Sequence, residues 1–271
     1  MSDLFRLQIR FRARLGYSLN LKNPKTFNEK IQWLKLYGNL QRYTHLADKY
    51  EVRKHIASTI GEEYLIPLLG VWDQVENIDF SSLPEQFVLK CSHDAGSIII
   101  CADKAAFDVK KAKKKLKKHL KRNFYDVSGE PQYKDIKPRI ICEKYMVEES
   151  GRELRDCKVF CFHGIPRMII VNSDRFTNFK RFWYDVEWNC LSAPKHATGT
   201  IARPSRLEEM MELCKVLSKG TTHVRIDFCL VRDTIYFGEL TFTHGAGFAK
   251  LEPEEFDSKL GTWFELPGQE K

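Results

Sequence analysis

The first 60 residues repeat apolar side chains every three to four positions, the spacing of helices that pack one face against a core. Thr26 and Glu29 form a capping-box pattern, in which each side chain satisfies a backbone N–H at the start of a helix. We predict that this helix ends at Gly38, and that a later helix runs from about Leu46 to a stop at Gly61. The leading segment is therefore expected to be helical.

From Tyr64 onward, short runs rich in β-branched and aromatic residues replace the helical spacing and predict β-strands. Two helices interrupt them, one through residues 110–122 and one that begins with a second capping box, Ser205 with Glu208, and ends at Gly220. This arrangement predicts an α+β fold with small mixed sheets and helices packed to one side. The predicted strands are Tyr64–Leu69, Phe87–Cys91, Ile98–Cys101, Ile140–Met146, Cys157–Phe162, Arg167–Val171, Val224–Val231 and Thr234–Phe242.

The last two strands flank a turn near Asp233 and carry four polar residues on one side. If the turn is tight, residues whose numbers sum to about 466 lie opposite one another, so Asp227 faces Glu239 and Arg225 faces Thr241. Two facing acids repel each other, and burying them costs more, unless a divalent cation lies between them. An exposed sheet face with solvated acids is the alternative, but the neighbouring residues are apolar. Oxygen ligands with open positions for phosphate and water are typical of magnesium.

The net charge of +8 is concentrated in one predicted helix. Residues 110–122 hold nine Lys and Arg and no acid, so the other residues together carry −1. Ala112, Leu116 and Leu120 recur every four residues and predict an apolar stripe that faces the core. The lysines then form a solvated surface. The alternative is that they form a patch that binds an anionic partner. We expect no stable nucleic-acid partner.

The chain of 271 residues contains no run that approaches the about 20 apolar residues of a membrane-spanning helix. Charges interrupt every apolar run of the N-terminus, which does not resemble a signal peptide. Leu4, Ile9, Phe11 and Leu15 predict an amphipathic helix, for which packing on the protein itself is favoured over an anionic membrane surface. We expect a cytoplasmic protein, with peripheral contact at the inner membrane face as the alternative.

The eight cysteines lie mostly inside apolar strand-like runs, which is typical of reduced thiols in a core. There is no Cys-x-x-Cys pair. Cys157 and Cys161 are four residues apart, but their segment alternates like a strand, so the sequence gives little support to a zinc site.

The run FVLKCSHDAGSIII has features of a phosphate-binding loop. A strand delivers Lys90, and a short loop with Gly96 and Ser97 follows before the next strand. Glycine lets backbone N–H groups approach phosphate oxygens, and lysine supplies a point charge. A lysine that ends a strand beside a polar loop is common, and the Walker motif is absent, so this signal alone is weak.

The run RIICEKYMVEE predicts a buried strand whose end offers backbone groups to a purine edge. Glu148 or Glu149 then lies in position to reach a ribose hydroxyl. In LRDCKVFCFHG, Lys158 projects from a strand on the same side as Asp156. The residues that leave the sheet in the first run are Glu143, Lys144, Tyr145 and Met146.

These segments occur in an order that resembles the ATP-grasp superfamily: a lysine strand with a Gly/Ser loop, then Glu-Lys-Tyr, Arg-x-Asp and Glu-x-Thr. The resemblance implies two α+β lobes that sandwich ATP, with EKYM as the adenine hinge. It also implies Lys90 and Lys49 (in ADKYEVRKH) as phosphate lysines, and Asp227 and Glu239 as magnesium ligands. The implied cofactors are ATP and Mg²⁺.

Longer runs over residues 24–250 are similar to the teichuronopeptide-biosynthesis (TupA-like) ATP-grasp family, whose members belong to surface-polysaccharide pathways. These runs include KTFNEKIQWLKLY, DKYEVRKHI, DCKVFCFHG, NSDR and GELTFT. Many ATP-grasp ligases have an Asn where this chain has Thr241, and a hydroxyl is a weaker metal ligand than an amide oxygen. The implied division is a helical segment in place of a full leading domain, a small lobe, and a large lobe with the metal site, at residues 1–61, 62–146 and 147–271.

The implied reaction is ATP-dependent activation of a carboxylate as an acyl phosphate, followed by amide formation with an amine. The resemblance suggests that an amino acid is joined to a carboxylated sugar of a surface polymer. Lys158 and Arg225 would offset the developing charge, and Arg175 would hold the carboxylate or acyl phosphate, with a structural ion pair as its equal alternative.

Two other classes of function remain open on the sequence. One is a sugar kinase with the same ATP site. The other is a polyanion-binding protein that acts through residues 110–122 and has a vestigial nucleotide site. A nucleotide-sugar glycosyltransferase is disfavoured because Asp-x-Asp occurs nowhere in the chain.

Overall fold

Two antiparallel sheets and the helices around them make up the computed structural model, which describes residues 3–146, 155–173, 180–195, 197, 199–231 and 234–268. The named elements within residues 3–60 are helices, as the sequence predicts, but the helix predicted from about Leu46 to Gly61 is interrupted by a turn at residues 48–51. The α-helices of the described residues are α1 (Asp3–Leu15), α2 (Phe27–Tyr37), α3 (Thr44–Ala47), α4 (Val52–Thr59), α5 (Val109–Leu120), α6 (Phe124–Ser128), α7 (Leu207–Ser218) and α8 (Glu255–Trp263). Short 3₁₀ turns lie at Leu40–Tyr43, Glu62–Tyr64, Val75–Asn77, Pro131–Tyr133 and His244–Gly247.

The smaller sheet has four strands in the order β1-β4-β2-β3. One face is apolar and packs on the basic helix α5 through Leu116, which is fully buried. The lysines of α5 lie around this stripe, so the predicted apolar repeat is what attaches the helix to the sheet. The opposite face carries Lys90 and Glu143. The strands are β1 (Leu68–Trp72), β2 (Phe87–Cys91), β3 (Ile99–Cys101) and β4 (Ile140–Lys144).

The larger sheet has six strands in the order β10-β9-β5-β6-β7-β8. One face is covered by α7 and α4, which bury Met210, Cys214 and Ile56 against it. The other face is covered at one end by α2 and α8, and the remainder carries the polar residues described below. The strands are β5 (Arg155–Phe162), β6 (Ile165–Ser173), β7 (Lys180–Tyr184), β8 (Cys190–Ser192), β9 (His223–Val231) and β10 (Thr234–Thr241).

Two details of the predicted α+β architecture are wrong. Every strand pairing between named strands in the described ranges is antiparallel, so the sheets are not mixed. Helices also cover both faces of the larger sheet. β5 shows why: Val159 is buried on one face, and Phe160 and Phe162 are buried on the other. Each large apolar side chain contributes about 1.5–3 kcal/mol when it is buried, so neither face is left to solvent.

The first predicted capping box is confirmed and the second is wrong. Thr26 Oγ1 accepts from the Glu29 N–H at 3.2 Å, and the Thr26 N–H donates to the Glu29 carboxylate at 3.0 Å. Arg206, not Ser205, occupies the position before α7, and no side chain caps this helix. Glu208 is drawn away from the helix end because its carboxylate pairs with Arg203.

All eight cysteines lie within the described ranges and have free thiols, and six of them are buried. Within the same ranges no helix is long and apolar enough to cross a membrane. In α1, Phe11 is fully buried, while Leu4, Phe5 and Ile9 are exposed. The proposed domain boundaries at residues 61 and 146 remain a prediction.

Candidate functional site

The β9–β10 hairpin brings the predicted acids together by means of a β-bulge. Asp227 pairs with Glu239 and Arg225 pairs with Thr241, which confirms the predicted register. Nearer the turn the register differs by one residue, and the irregularity lies between Phe237 and Glu239. If the register next to the turn continued with Gly238 paired to Asp227, Glu239 would lie opposite Ile226 and its side chain would point to the other face of the sheet.

Gly238 is the residue that the bulge inserts. A Cβ at this position would lie 3.0 Å from the carbonyl oxygen and 3.5 Å from the Cβ of Asp227. Only glycine therefore allows the two backbones to approach this closely without displacement. The bulge thus places Glu239 on the same face as Asp227, as observed near many functional sites.

Arg225 lies at the centre of the proposed metal and phosphate site. Its Nε and Nη2 donate to the two carboxylate oxygens of Asp227 at 2.6 and 2.7 Å. Nη2 also donates to Glu239 at 2.9 Å and to Thr241 Oγ1 at 3.0 Å, and this hydroxyl donates to Glu239 at 3.2 Å. Such charge-assisted, partly bidentate contacts fix the positions of all four side chains.

Lys158 joins this cluster from the neighbouring strand β5, where it is in register with Asp227. Its Nζ contacts the Asp227 carboxylate and lies 3.0 Å from Asp156. Burial alone would lower the pKa of Lys158, but the charges of Asp227 and Asp156 outweigh it and raise the pKa above its usual value. Lys158 is therefore a fixed positive charge at neutral pH.

Glu239 is also ionised. Burial favours its neutral form, but Lys49, Arg225 and Lys158 together lower its pKa to about 2. Its side chain is 36 % exposed, whereas that of Asp227 is 5 % exposed. Burial raises the pKa of Asp227, so the two acids differ both in the direction of their pKa shifts and in their access to solvent.

His244 supports Arg225 from the other side. Its Nδ1 lies 2.5 Å from Arg225 Nη1, and burial together with the Arg225 charge holds the pKa of His244 well below its usual value. The neutral ring can accept a hydrogen bond at Nδ1, so His244 orients the guanidinium. We did not predict this role of His244 from the sequence.

The donor set fits a magnesium ion that is bound together with a nucleotide. One oxygen of Asp227 and one of Glu239 contact the same nitrogen of Arg225, so these oxygens are less than about 6 Å apart. Both are hard oxygen donors, with Thr241 as a weaker hydroxyl beside them. In the described ranges no group of three or more His, Cys, Asp or Glu is arranged to hold a metal. Two carboxylates with the remaining positions left to phosphate and water are typical of Mg²⁺.

On the smaller sheet, Lys90 and Glu143 form a nearly buried ion pair. The Nζ–Oε2 distance is 2.6 Å, and Arg53 Nη1 lies 3.4 Å from the other oxygen of Glu143. In this structure the Glu143 carboxylate orients Lys90, the predicted phosphate lysine, and the nucleotide-binding role of Glu143 remains a prediction. We did not predict Arg53, since its segment carries no signal for this role.

Lys90 lies close enough to the larger sheet for its charge to act on a group in strand β9. Burial raises the pKa of Cys229 in β9 to about 12, and Lys90 is one of the charges that partly oppose this effect. Lys90 is therefore within electrostatic range of the strand that carries Asp227.

The predicted phosphate loop joins β2 to β3 and is held by Asp94, which we did not single out. The Asp94 carboxylate accepts from Ser97 Oγ at 2.6 Å and pairs with His119 of the basic helix, and its carbonyl accepts from Lys49 Nζ at 2.7 Å. The Ser97 hydroxyl thus holds the loop, because it also accepts from the Cys91 N–H at 2.9 Å. Gly96 is exposed with φ +88°, a conformation that favours glycine.

The predicted adenine hinge follows the end of β4. The Lys144 N–H donates to the Pro67 carbonyl at 3.0 Å, and its side chain is exposed. Tyr145 and Met146 are half-buried beyond the strand. Glu148, Glu149 and Arg175 lie outside the described residues. All of these nucleotide and substrate roles remain predictions.

A cleft of ≈ 450 Å³ opens beside the charge cluster, and Lys49, Arg225, Glu239 and Thr241 line part of it. The structure thus brings Lys49 next to the residues that we predicted as metal and phosphate ligands. The other walls come from residues that we did not single out from the sequence, and they belong to α1, to residues 124–133 and to residues 243–248, with Ala95 of the predicted phosphate loop beside them.

Comparisons with known proteins agree with the resemblance. The model of the TupA-like ATPgrasp family matches residues 29–265. Among solved structures, D-alanine–D-alanine ligase from Bacillus anthracis is 16% identical with a TM-score of 0.48, over 89% of this chain and 74% of that one. A RimK domain protein ATP-grasp from Sphaerobacter thermophilus is 11% identical with a TM-score of 0.42, over 83% and 69%.

An N5-carboxyaminoimidazole synthase from Aspergillus clavatus, in complex with ADP and 5-aminoimidazole ribonucleotide, is 14% identical with a TM-score of 0.46, over 84% of this chain and 54% of that one. At these scores the structural similarities carry no assignment of their own. Among curated proteins, none matches this chain in sequence. The family match covers most of the chain, and the chain therefore belongs to the TupA-like ATP-grasp family.

Proposed function

We propose that this protein is an ATP-dependent ligase that activates a carboxylate as an acyl phosphate and joins it to an amine. The observation that carries the proposal is the charge cluster. Asp227 and Glu239 converge with Arg225, Lys158 and Lys49 beside a cleft that is large enough for a small substrate. Membership of the ATP-grasp family makes ATP the expected phosphoryl donor.

The positive side chains would contact the triphosphate from both sheets. Lys90 extends from β2 on the face of the smaller sheet that also carries Glu143, and Glu143 keeps its ammonium group in place. Lys158 and Arg225 lie on the larger sheet, where they would offset charge on the transferred phosphoryl group. Asp227 and Glu239, with Thr241 beside them, would hold Mg²⁺. This ion would neutralise phosphate charge and favour phosphoryl transfer.

The reaction needs no covalent attachment to the protein. A carboxylate oxygen attacks the γ-phosphorus and ADP leaves, and the amine nitrogen then attacks the acyl carbon and phosphate leaves. The amine proton passes to phosphate or solvent. The protein contributes position and electrostatic stabilisation, and this agrees with the fixed network around Arg225.

We further propose that the amine is an amino acid and that the carboxylate belongs to a sugar of a surface polysaccharide. The similarity to the teichuronopeptide-biosynthesis sequences supports this substrate class. Arg175 is proposed to hold the carboxylate or the acyl phosphate.

The first experiment is calorimetric titration of ATP with and without Mg²⁺. We expect Mg²⁺-dependent binding, and failure of the folded protein to bind ATP would overturn the proposal. The second experiment supplies Mg·ATP, a panel of uronic acids and hydroxylamine. An acyl phosphate is trapped as a hydroxamate, whereas a sugar kinase would release ADP without hydroxamate and without dependence on an amine.

A further inference from the structure

The cleft beside the charge cluster has a second positively charged wall. Arg10 and Arg14 of the N-terminal helix α1 line it, together with Lys49, Arg225 and Glu239. The family match begins at residue 29, so α1 lies outside the matched part of this chain. This wall is therefore a feature of this chain that the family assignment does not explain.

The arginine wall is built on a packed helix. Phe11 of α1 is fully buried, and its ring lies 5.1 Å from that of Tyr17 and 6.4 Å from that of Phe248. Arg10 and Arg14 are four residues apart, so they lie on one face of the helix. The Arg10 guanidinium stacks 4.4 Å above the Phe248 ring, and its Nη1 donates to the Val127 carbonyl at 3.3 Å. Arg10 is thus held in position by its surroundings.

Neither arginine has an acidic partner in the part of the chain that the structure describes. The two acids that line the cleft are used elsewhere: Glu239 pairs with Arg225, and Glu130 accepts from the Thr243 hydroxyl. Burial raises the pKa of Glu130, and this favours its neutral form, which is a poor counter-ion for the two arginines. Two guanidinium groups that share a cleft without a carboxylate are a suitable site for an anion.

We propose that Arg10 and Arg14 bind a second anionic group on the carboxylate substrate. This inference rests on the proposed function, which places the reacting carboxylate near Arg225. The substrate class becomes a dianionic acid, with its carboxylate toward the charge cluster and a phosphate or second carboxylate toward α1. The rings of Phe124 and Phe248, which also line the cleft, offer apolar surface to the body of such a substrate.

The test compares three probes by calorimetry in the presence of Mg²⁺ and a non-hydrolysable ATP analogue. The probes are D-glucuronate, D-glucose 1-phosphate and D-glucuronate 1-phosphate, which carry the carboxylate, the phosphate or both. The dianionic probe is expected to bind at least about tenfold more tightly than either of the others, since charge-assisted hydrogen bonds are of that strength.

The decisive variant is Arg14→Ala, because Arg14 has no hydrogen bond or ion pair within the described ranges and its loss leaves the packing of α1 in place. We expect it to reduce the advantage of the dianionic probe to about threefold or less without changing the affinity for glucuronate. Arg10→Ala should act in the same direction. Arg12→Ala is the matched control, since Arg12 is exposed on the same helix and does not line the cleft.

Equal binding of the three probes, absence of any probe binding, or an equal effect of Arg12→Ala would each overturn the inference. Binding of Mg·ATP by the same proteins tests the proposed function separately. A protein that binds Mg·ATP and does not discriminate among the probes retains its nucleotide site and loses only this proposal.

Discussion

Asp227→Asn and Glu239→Gln make the same chemical change, carboxylate to amide, at two proposed ligands of one metal. The structure predicts that they lower the free energy of unfolding by different amounts. The Asp227 side chain is 5 % exposed and contacts both Arg225 and Lys158, whose side chains are 9 % and 13 % exposed. The change to Asn leaves two nearly buried cations without this partner and turns an amide N–H toward one of them. Breaking a buried pair in this way costs about 3–5 kcal/mol of the free energy of unfolding.

Glu239→Gln should cost less. Its side chain is 36 % exposed, and its contacts are one hydrogen bond each from Arg225 and Thr241. Arg225 keeps its bidentate contact to Asp227 in this variant, and solvent screens the remaining charge. We expect a loss of about 1–2 kcal/mol, because the cations that lower the pKa of Glu239 lose a charged partner, and solvent screens part of that interaction.

Urea denaturation of the two variants and the wild type measures the difference in unfolding free energy. Calorimetric titration measures the affinity of each protein for Mg·ATP. Both variants should bind Mg·ATP at least about tenfold more weakly, because each loses a charged ligand. Equal changes in unfolding free energy would refute the burial argument. Unchanged Mg·ATP affinity in folded Glu239→Gln would refute the metal site.

Three other substitutions test separate parts of the site. Gly238→Ala should cost about 1–3 kcal/mol of unfolding free energy and weaken Mg·ATP binding, because its Cβ would press on the Asp227 backbone; an unchanged urea midpoint would contradict this. Glu143→Gln should lower the free energy of unfolding by about 2–4 kcal/mol, since Lys90 loses its nearly buried partner. The exposed control Glu62→Gln should change it by no more than about 0.5 kcal/mol in the same urea assay. Burial lowers the pKa of Lys35 from 10.5 to about 8, so between these pH values the unfolded chain holds a proton that the folded chain has lost. The stability of the wild type relative to Lys35→Met should therefore rise with pH in that window, by up to about 3 kcal/mol, and a flat difference between the two urea profiles would exclude the shift.

The order of elements and the residues of the central site were predictable from the sequence. Alternation along residues 223–241 was enough to place Asp227 with Arg225 on one face of β9 and Glu239 with Thr241 on one face of β10, because the period of a strand is a local property. The capping box at Thr26 was predictable for the same reason, since its partners are three residues apart. The predicted register depended on a tight turn and holds at the acids only because the bulge at Gly238 adds one residue.

Local patterns were insufficient to predict side-chain pairing where more than one partner was within reach. Glu208 fits a capping box by spacing, but Arg203 competes for its carboxylate. The pairing of Lys90 with Glu143 joins residues 53 positions apart, and Asp94 holds the phosphate loop through groups on two other elements. These contacts depend on which elements pack together.

The sequence by itself determined the α+β class, the family and the residues that we propose to hold Mg·ATP, because hydrophobic period, strand alternation and motif order are all properties of neighbouring positions. Only the tertiary structure decided that helices cover both faces of the larger sheet and that Arg10 of α1 lies against Val127, 117 residues away. The physical reason is that a periodic pattern shows which face of an element is buried but leaves its partner open. The partner is set by the packing of all elements at once, and that packing forms the cleft in which the arginines of α1 approach the charge cluster.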